Sequence, residues 1–436
     1  MQNIRNLVYN SLINCIENDR YSNLEASSVI EKNTLSPRDR SFYTAFFYGV
    51  TEKTITIDYQ IRKLSRTPIE KLQTKVLVLL RMGIYQILFM DSVPDHAAIN
   101  ETVAVAKQYV NKGAVGFINA LLRAATRQLK SNNGDIKLIT PNRERDICGY
   151  LSIHYSFPRY LCKLWINAYG EKNAERIMIA ENKRSSLTIR VNTLKISRGD
   201  YLQKLLLKNI DASESKFTED GINVYSGTSI YSLPNFEDGY FFIQDDSSRM
   251  CVEALDPKPF DTVLDACACP GGKSFASAIK MNGQGKIISC DIHDSKLSLI
   301  DDGAKRLGIE IIKSVQADSS VFNKEFAEQF DKVLCDVPCS GFGTISKKPD
   351  LRLKQSISSQ ELPRLQLSIA NNCAKYVKIG GTLVYSTCTL NPEENENNVL
   401  RFCESNPEFR LESLTTKFPY DGEYDGFFIA KMIRIK

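Results

Sequence analysis

Hydrophobic positions in the first 130 residues recur at the spacing of an α-helix. Leu72, Val76, Leu80, Ile84 and Ile87 fall on one helical face, as do Ile99, Val103, Ala106 and Val110. Pro94 and Asp95 punctuate between these runs, and Gly113 and Gly116 break the pattern before Phe117–Arg123. Several amphipathic helices on short connections predict an all-α helix bundle. Asn-Asn-Gly at 132–134 and Pro141 mark a linker, so the first domain is expected over 1–140. From there to 240 the pattern is mixed. Helix-like stretches at Arg159–Tyr169 and Glu171–Ala180 precede a β-rich run, Leu187–Asn192. A helix near Asp200–Leu207 and short strands ending at Tyr240–Ile243 follow, which predicts a small α+β domain over 141–240. Beyond 250, short apolar strands alternate with helix-length segments, at Thr262–Leu264, Lys286–Cys290, Ile311–Gln316, Lys332–Cys335, Thr382–Ser386 and Phe427–Met432. That alternation predicts an α/β, Rossmann-like domain over 241–436, built on a doubly wound and mostly parallel sheet.

Composition narrows the possibilities. A chain of 436 residues is too long for one hydrophobic core, and 43% hydrophobic with 25% charged residues excludes wholesale disorder and fibrous repeats. The most apolar stretch, Val76–Met90, is interrupted by Arg81 and Gln86, so no membrane helix is expected. The N-terminal MQNIRNLVYNSLINC lacks the layout of a signal peptide, which leads to the expectation of a soluble, cytoplasmic protein. Twelve cysteines without a C-x-x-C, and only His96, His154 and His293 as histidines, argue against a disulfide scaffold or structural zinc. The net charge of +5 is uneven, because residues 1–140 carry 18 Lys and Arg against 12 Asp and Glu, a net of +6. This suits either an ordinary solvated surface or a polyanion-facing helical domain attached to a neutral catalytic one. Charge alone leaves the two open.

In a doubly wound sheet, ligands bind at the carboxyl ends of the strands. Four expected strands end at or near an acid, Asp265, Asp291, Asp318 and Asp336. After the first comes Cys267-Ala268-Cys269-Pro270-Gly271-Gly272-Lys273-Ser274, a glycine turn leading into a helix. Glycines let backbone N–H groups approach a ligand closely. An acid ending the second strand suits paired ribose hydroxyls, and one after the third can accept from an adenine amino group. The G-x-G-x-x-G of a dinucleotide site is absent, and a P-loop would need glycine at position 267, which is cysteine. A nucleoside cofactor without phosphates, S-adenosyl-L-methionine, fits this loop, with Cys267 to Lys273, Asp291, Asp318 and Asp336 as its candidate binding residues.

Two further loops belong to the same edge. Asp336-Val-Pro-Cys339-Ser-Gly follows the fourth strand and Ser386-Thr-Cys388-Thr follows the fifth. Carbon 5 of cytosine is not nucleophilic as it stands. Thiolate attack on C6 makes C5 electron-rich enough to take a methyl group, after which the C5 proton must leave and the thiol be eliminated. One cysteine as nucleophile and a second group for release suffice, with Asp336 hydrogen-bonding N3 of the base. Enzymes methylating exocyclic amines need no thiol and place an aromatic after Asp/Asn-Pro-Pro, so Pro338-Cys339 argues against that chemistry.

At these residues the sequence resembles the RNA cytosine-5 methyltransferases of the NOL/NOP/Sun family. Asp265–Lys273 resembles their cofactor loop, with Cys269 where alanine is usual. Asp336–Gly341 resembles their proline-cysteine motif, and Ser386-Thr-Cys388-Thr-Leu-Asn-Pro-Glu-Glu-Asn395 their threonine-cysteine motif. The resemblance implies that Cys388 attacks and Cys339 assists release. Ser346-Lys-Lys-Pro-Asp350 is a weaker match, since histidine commonly precedes that proline. Leu80–Ile87, Ile99-Asn-Glu101 and Gly116–Arg123 are similar to the NusB-type RNA-binding domain, and Tyr240–Ser248 to the segment that leads into the family's catalytic domain. A NusB-like domain in front of this catalytic domain is the arrangement of bacterial members acting on 16S ribosomal RNA. The resemblance implies a monomeric class I methyltransferase of 16S rRNA, without DNA or membrane partners. Transfer RNA as substrate, and an RNA-binding assembly factor without catalysis, are the alternatives.

Overall fold

The structure, a computed structural model, describes residues 3–131, 133–183, 187–225, 233–353 and 361–436. The chain divides into two compact units, Met1–Asn182 with Ile345–Lys354, and Lys183–Thr344 with Gln355–Lys436.

The first unit is helical: α1 (Ile4–Glu17), α2 (Ser22–Lys32), α3 (Pro37–Leu64), α4 (Thr74–Phe89), α5 (Asp95–Tyr109), α6 (Lys112–Leu129), α7 (Ile147–Tyr155) and α8 (Arg159–Glu181). Local chemistry sets several starts. Ser36 accepts from the Asp39 amide ahead of Pro37, and Asn111 and Asp146 cap α6 and α7 in the same way. Gly113 and Gly116, read from the sequence as breaks, lie inside the first turns of α6, where the Asn111 cap holds the helix start. Gly170 does divide α8, with φ +78, at the boundary expected between its two stretches.

Helix α4 is buried on more than one face. Val78, Leu79 and Met82 are as fully enclosed as Leu80 and Ile84, because α1, α3, α5 and α6 all pack against it. Gln86, which interrupts the apolar run, is buried too. It donates to Met82 O and Thr102 Oγ1 and accepts from Arg5 Nε, so its polar ends are satisfied.

Helix α8, placed by the sequence pattern in the second segment, and α7, which that pattern did not mark, cluster with this unit. Thr56 Oγ1 donates to Ile153 O at 2.6 Å, and Gln60 exchanges two 3.0 Å hydrogen bonds with Ile139. At the expected 132–134 linker, Lys130 and Ile136 form an isolated β-bridge, with Asn132 outside the described residues. The segment from 345 returns to the same unit. Buried Arg352 donates to Ser156 O, Glu181 O and Asn182 Oδ1 and covers the Phe157 ring at 4.2 Å.

The second unit opens with β1 (Leu187–Val191), α9 (Arg198–Leu207), β2 (Ala212–Glu214), β3 (Gly221–Val224) and β4 (Phe241–Ile243). They form an antiparallel sheet in the order β2-β3-β1-β4. Buried Arg190 on β1 reaches Asp246 at 2.6 Å, at the start of α10 (Asp246–Leu255), and so ties this sheet to the α/β part of the unit. Next come β5 (Thr262–Asp265), α11 (Gly272–Lys280), β6 (Lys286–Asp291), α12 (Asp294–Leu307), β7 (Ile312–Gln316), β8 (Phe330–Asp336), α13 (Glu361–Ala374), β9 (Val377–Thr387), α14 (Glu396–Ser405), β10 (Phe409–Lys417) and β11 (Phe427–Arg434). The sheet order is β10-β11-β9-β8-β5-β6-β7. β5 to β9 are mutually parallel, and β11 runs antiparallel to both its neighbours. The three-part architecture expected from the sequence is thus present. Strand β10 escaped the pattern because it is an edge strand whose residues are mostly exposed. Among the described residues no helix is long and apolar enough to cross a membrane.

The enclosure of α4 sets a stability expectation. Leu79→Ala removes a fully buried side chain and should cost about 2–5 kcal/mol in chemical denaturation. A cost under about 1 kcal/mol would mean that α4 is not central to the core.

Candidate active site

The parallel strands β5, β8 and β9 end side by side, and their loops enclose a cavity of about 240 Å³. Its first wall is the loop from β5 to α11. Gly271 caps α11 with φ +105, and a Cβ there would lie 2.5 Å from the Phe275 ring, so the turn needs glycine on two counts. Ala268 N donates to Cys290 O and Gly271 N to Ala268 O, both at 2.7 Å, which pins the loop over β6. Cys267, Ala268, Cys269, Pro270, Gly272 and Lys273 all line the cavity, and Gly271 shapes the turn behind them.

Asp265, at the end of β5, is 1% exposed. Its Oδ2 accepts from Ser274 Oγ at 2.7 Å, and its Oδ1 has no partner. Burial pushes this carboxyl up to about 6, although Ser274 and Lys273 oppose the shift. Gln244 also faces the cavity with both side-chain polar atoms buried and unpartnered. Such atoms on a cavity wall are what a polar ligand satisfies.

Asp336 closes the opposite wall. Lys273 Nζ donates to its Oδ2 at 2.6 Å and Ser386 Oγ to its Oδ1 at 2.8 Å. Burial disfavours the Lys273 charge, yet Asp336, Cys251 and Asp265 together outweigh it and hold the ammonium above its ordinary value. Asp336 pairs with Ser386 in the β8–β9 register, which brings the loops carrying Cys339 and Cys388 together. The two sulfurs are 3.3 Å apart. Cys388 lines the cavity, and Cys339 stands behind it, outside the lining. The hydrogen bond with Cys388 and burial keep the Cys339 thiol well above the ordinary thiol range. Gly343 N donates to Cys388 O at 3.0 Å, and a Cβ on Gly343 would come within 2.1 Å of Gly426 O, so these loops touch backbone to backbone.

The other expected residues fall elsewhere. Asp291 ends β6 and Asp318 follows β7, but neither lines the cavity. Asp291 accepts from the His293 amide and Asp318 from Ser320. Ser346–Asp350 belongs to the helical unit, where Ser346 N donates to Glu181 and Ser22 Oγ to Asp350. Sequence reasoning passed over Gln244, Asp425 and Phe427 as lining residues. The Gln244–Ser248 run was visible as a lead-in to the domain, but nothing in its pattern showed that it folds over the β5 loop. No group of three or more metal-ligating side chains occurs among the described residues.

This sheet, with parallel β5 to β9, an antiparallel β11 and a cavity at the carboxyl ends, is the Rossmann-like fold of S-adenosylmethionine-dependent methyltransferases, here in one chain with a NusB-like helical domain. Family models bear this out: 16S rRNA methyltransferase RsmB/F matches residues 252–433, the NusB family residues 2–127, and an RsmF/B-like ferredoxin-like domain residues 157–231. The chain is 37% identical to the probable ribosomal RNA small subunit methyltransferase B of Bacillus subtilis (strain 168), over 98% of both chains. It is 33% identical to the probable ribosomal RNA small subunit methyltransferase B of Synechocystis sp., over 99% of both. The crystal structure of PH0851 superposes with a TM-score of 0.83 at 25% identity, covering 99% of both chains. The chain belongs to the RsmB/F family of ribosomal RNA small subunit methyltransferases.

The buried Asp265 carboxyl makes the site sensitive to pH. Its folded value of about 6 lies above the ordinary 3.8, so between these the folded protein keeps a proton that the unfolded chain releases. Stability is therefore lost as pH rises through that window. Asp265→Asn removes the titration, so wild type should lose stability relative to the variant as denaturation is followed from pH 4 to pH 7. A constant difference across that range would place the carboxyl at its ordinary value.

Proposed function

We propose that this chain transfers the methyl group of S-adenosyl-L-methionine to C5 of a cytosine in 16S ribosomal RNA through a covalent Cys388–C6 adduct. One observation carries the reading: two thiols 3.3 Å apart, one of them on the wall of a cavity that the Asp265–Lys273 loop also lines. A lone buried cysteine has many structural uses. A thiol pair at the mouth of a methyltransferase cavity has few outside this chemistry.

The residues present suit the cofactor. Unpartnered Asp265 Oδ1 and Gln244 supply an acceptor and an amide to a polar ligand, and the Cys267–Lys273 loop supplies close backbone approach. Asp291, which ends β6, and Asp318, which follows β7, are assigned to the ribose and adenine ends. When bound, S-adenosylmethionine supplies an electrophilic methyl group.

The chain's own residues do the rest. The Cys388 thiolate adds to C6 of the base and pushes electron density toward C5 and N3. As the ring gains electrons N3 takes up a proton from solvent and donates it in a hydrogen bond to the Asp336 carboxylate, which Lys273 and Ser386 hold in place and Lys273 balances in charge. Once C5 carries the methyl group, its proton passes to solvent water, the C5–H electron pair re-forms the C5–C6 double bond, and the C6–sulfur bond breaks with Cys388 leaving as thiolate, which restores the aromatic ring. Cys339, beside the departing sulfur, is the group that assists this release. The net positive charge of residues 1–140 suits a helical domain that holds RNA phosphates while an unpaired or flipped cytosine reaches the cavity. We assign the chain as a monomeric cytoplasmic enzyme without DNA or membrane partners.

Two variants test the division of labour. Cys388→Ala should lower methyl transfer to 16S rRNA by at least about 1,000-fold, as loss of a covalent nucleophile does; undiminished turnover would refute the nucleophile assignment. Cys339→Ala should accumulate an RNA–protein adduct that survives denaturing electrophoresis, and clean release at normal turnover would give Cys339 another job. Bisulfite sequencing of RNA from cells lacking the gene should show one unprotected cytosine in 16S rRNA. Loss of protection in transfer RNA, or nowhere, would overturn the substrate.

A further inference from the structure

Cys339 and Cys388 sit on loops, and loops are the mobile part of a fold, yet a two-thiol mechanism needs their sulfurs held face to face. The residues around them show what holds them. Cys388 lies between Thr387, whose hydroxyl donates to Asn395 Oδ1 at 2.6 Å, and Thr389, whose hydroxyl is 2.7 Å from Ser340 Oγ. Cys339 lies between Pro338, whose carbonyl accepts from Gln366 Nε2, and Ser340. Ser340 and Gln366 in turn converge on one side chain. Glu394 is 1% exposed, and its Oε2 accepts from Ser340 N and Gln366 Nε2, each at 2.9 Å. Its Oε1 accepts from Ser340 Oγ at 2.5 Å and Asn391 Nδ2 at 2.9 Å. Among the described residues no Lys, Arg or His nitrogen lies within 4 Å of it. Its neighbour Glu393 pairs with Arg401 in the ordinary way of surface carboxylates.

We propose that Glu394 is the positioning residue of the two-thiol site, its buried carboxylate clamping the Cys339 loop to the Cys388 loop so that the two sulfurs stay face to face. The proposal rests on the cytosine-5 reading above. A buried carboxylate without a cation is costly unless dipoles saturate it. Four donors do so here, two of them from Ser340, the residue after Cys339. Removing either oxygen's acceptor capacity breaks one of the two bonds to Ser340 and so loosens the Cys339 loop. The same charge also acts through space, adding to the effects that raise the Cys339 thiol and so helping to keep that sulfur protonated while Cys388 attacks.

Glu394→Gln tests this, because an amide nitrogen in place of either oxygen cannot accept the two hydrogen bonds made there. We expect kcat to fall 10- to 100-fold, with the KM for RNA and the dissociation constant for S-adenosylmethionine within twofold of wild type. In a Cys388→Ser background, alkylation of Cys339, read by peptide mass spectrometry, should shift to lower pH when Glu394→Gln is added. Ser340→Ala, which keeps the carboxylate and removes one of its donors, should lower kcat three- to tenfold in the same direction and covers the case in which Glu394→Gln does not fold. A wild-type kcat in these variants, or an unmoved alkylation profile, overturns the proposal. The alkylation arm needs neither RNA nor cofactor and so fails only if the clamp is wrong, whereas an active Cys388→Ala enzyme sinks the functional reading alone.

Discussion

Parallel strand pairing is the constraint on which this site depends. Because β5, β8 and β9 run the same way, every loop that follows them emerges at one edge of the sheet. Residues separated by more than 120 positions in the chain, Asp265 and Cys388, thereby line one cavity. The register refines the arrangement. Asp336 stands opposite Ser386, so the two cysteine loops leave from adjacent positions, and a shift of one residue would turn the side chains of one strand to the other face of the sheet.

The electrostatics of the cavity follow from the same edge. Three acids at or behind this edge each find a different solution. Asp336 is held by a cation and a hydroxyl. Asp265 has a hydroxyl on one oxygen and nothing on the other, which leaves its charge poorly supported. Glu394 has no cation but four donors. Carboxylates of identical chemistry thus end in different surroundings: one beside a lysine, one with an open oxygen on the cavity wall, one gathering donors from neighbouring loops.

The helical unit shows a related economy. Helix α4 is apolar on nearly all sides because four other helices surround it, and its one buried amide, Gln86, is satisfied from two directions. The chain leaves the catalytic unit at 345 and joins this unit again, fixed there by Arg352 through backbone carbonyls and an aromatic face. No periodicity marks such a segment, since its structure comes from the groups it meets.

What local pattern encodes was readable from the chain. Helical spacing marked the bundle, strand–helix alternation marked the parallel sheet, and the Gly271 turn and both cysteine motifs stood out because their chemistry is dictated residue by residue. What depends on partners distant in sequence was not. The sequence could not show that Gly113 and Gly116 would be carried inside α6 by the Asn111 cap, or that α7 would pack on α3 through Thr56 and bring α8 with it into the first unit. It could not separate Glu394 from Glu393, two adjacent residues of one type, because burial against Ser340 and Gln366 is a property of the folded sheet edge. Local propensity is written in neighbours a few residues apart. Placement of a charge without water is written only in the contacts that folding creates, and there the tertiary structure decided.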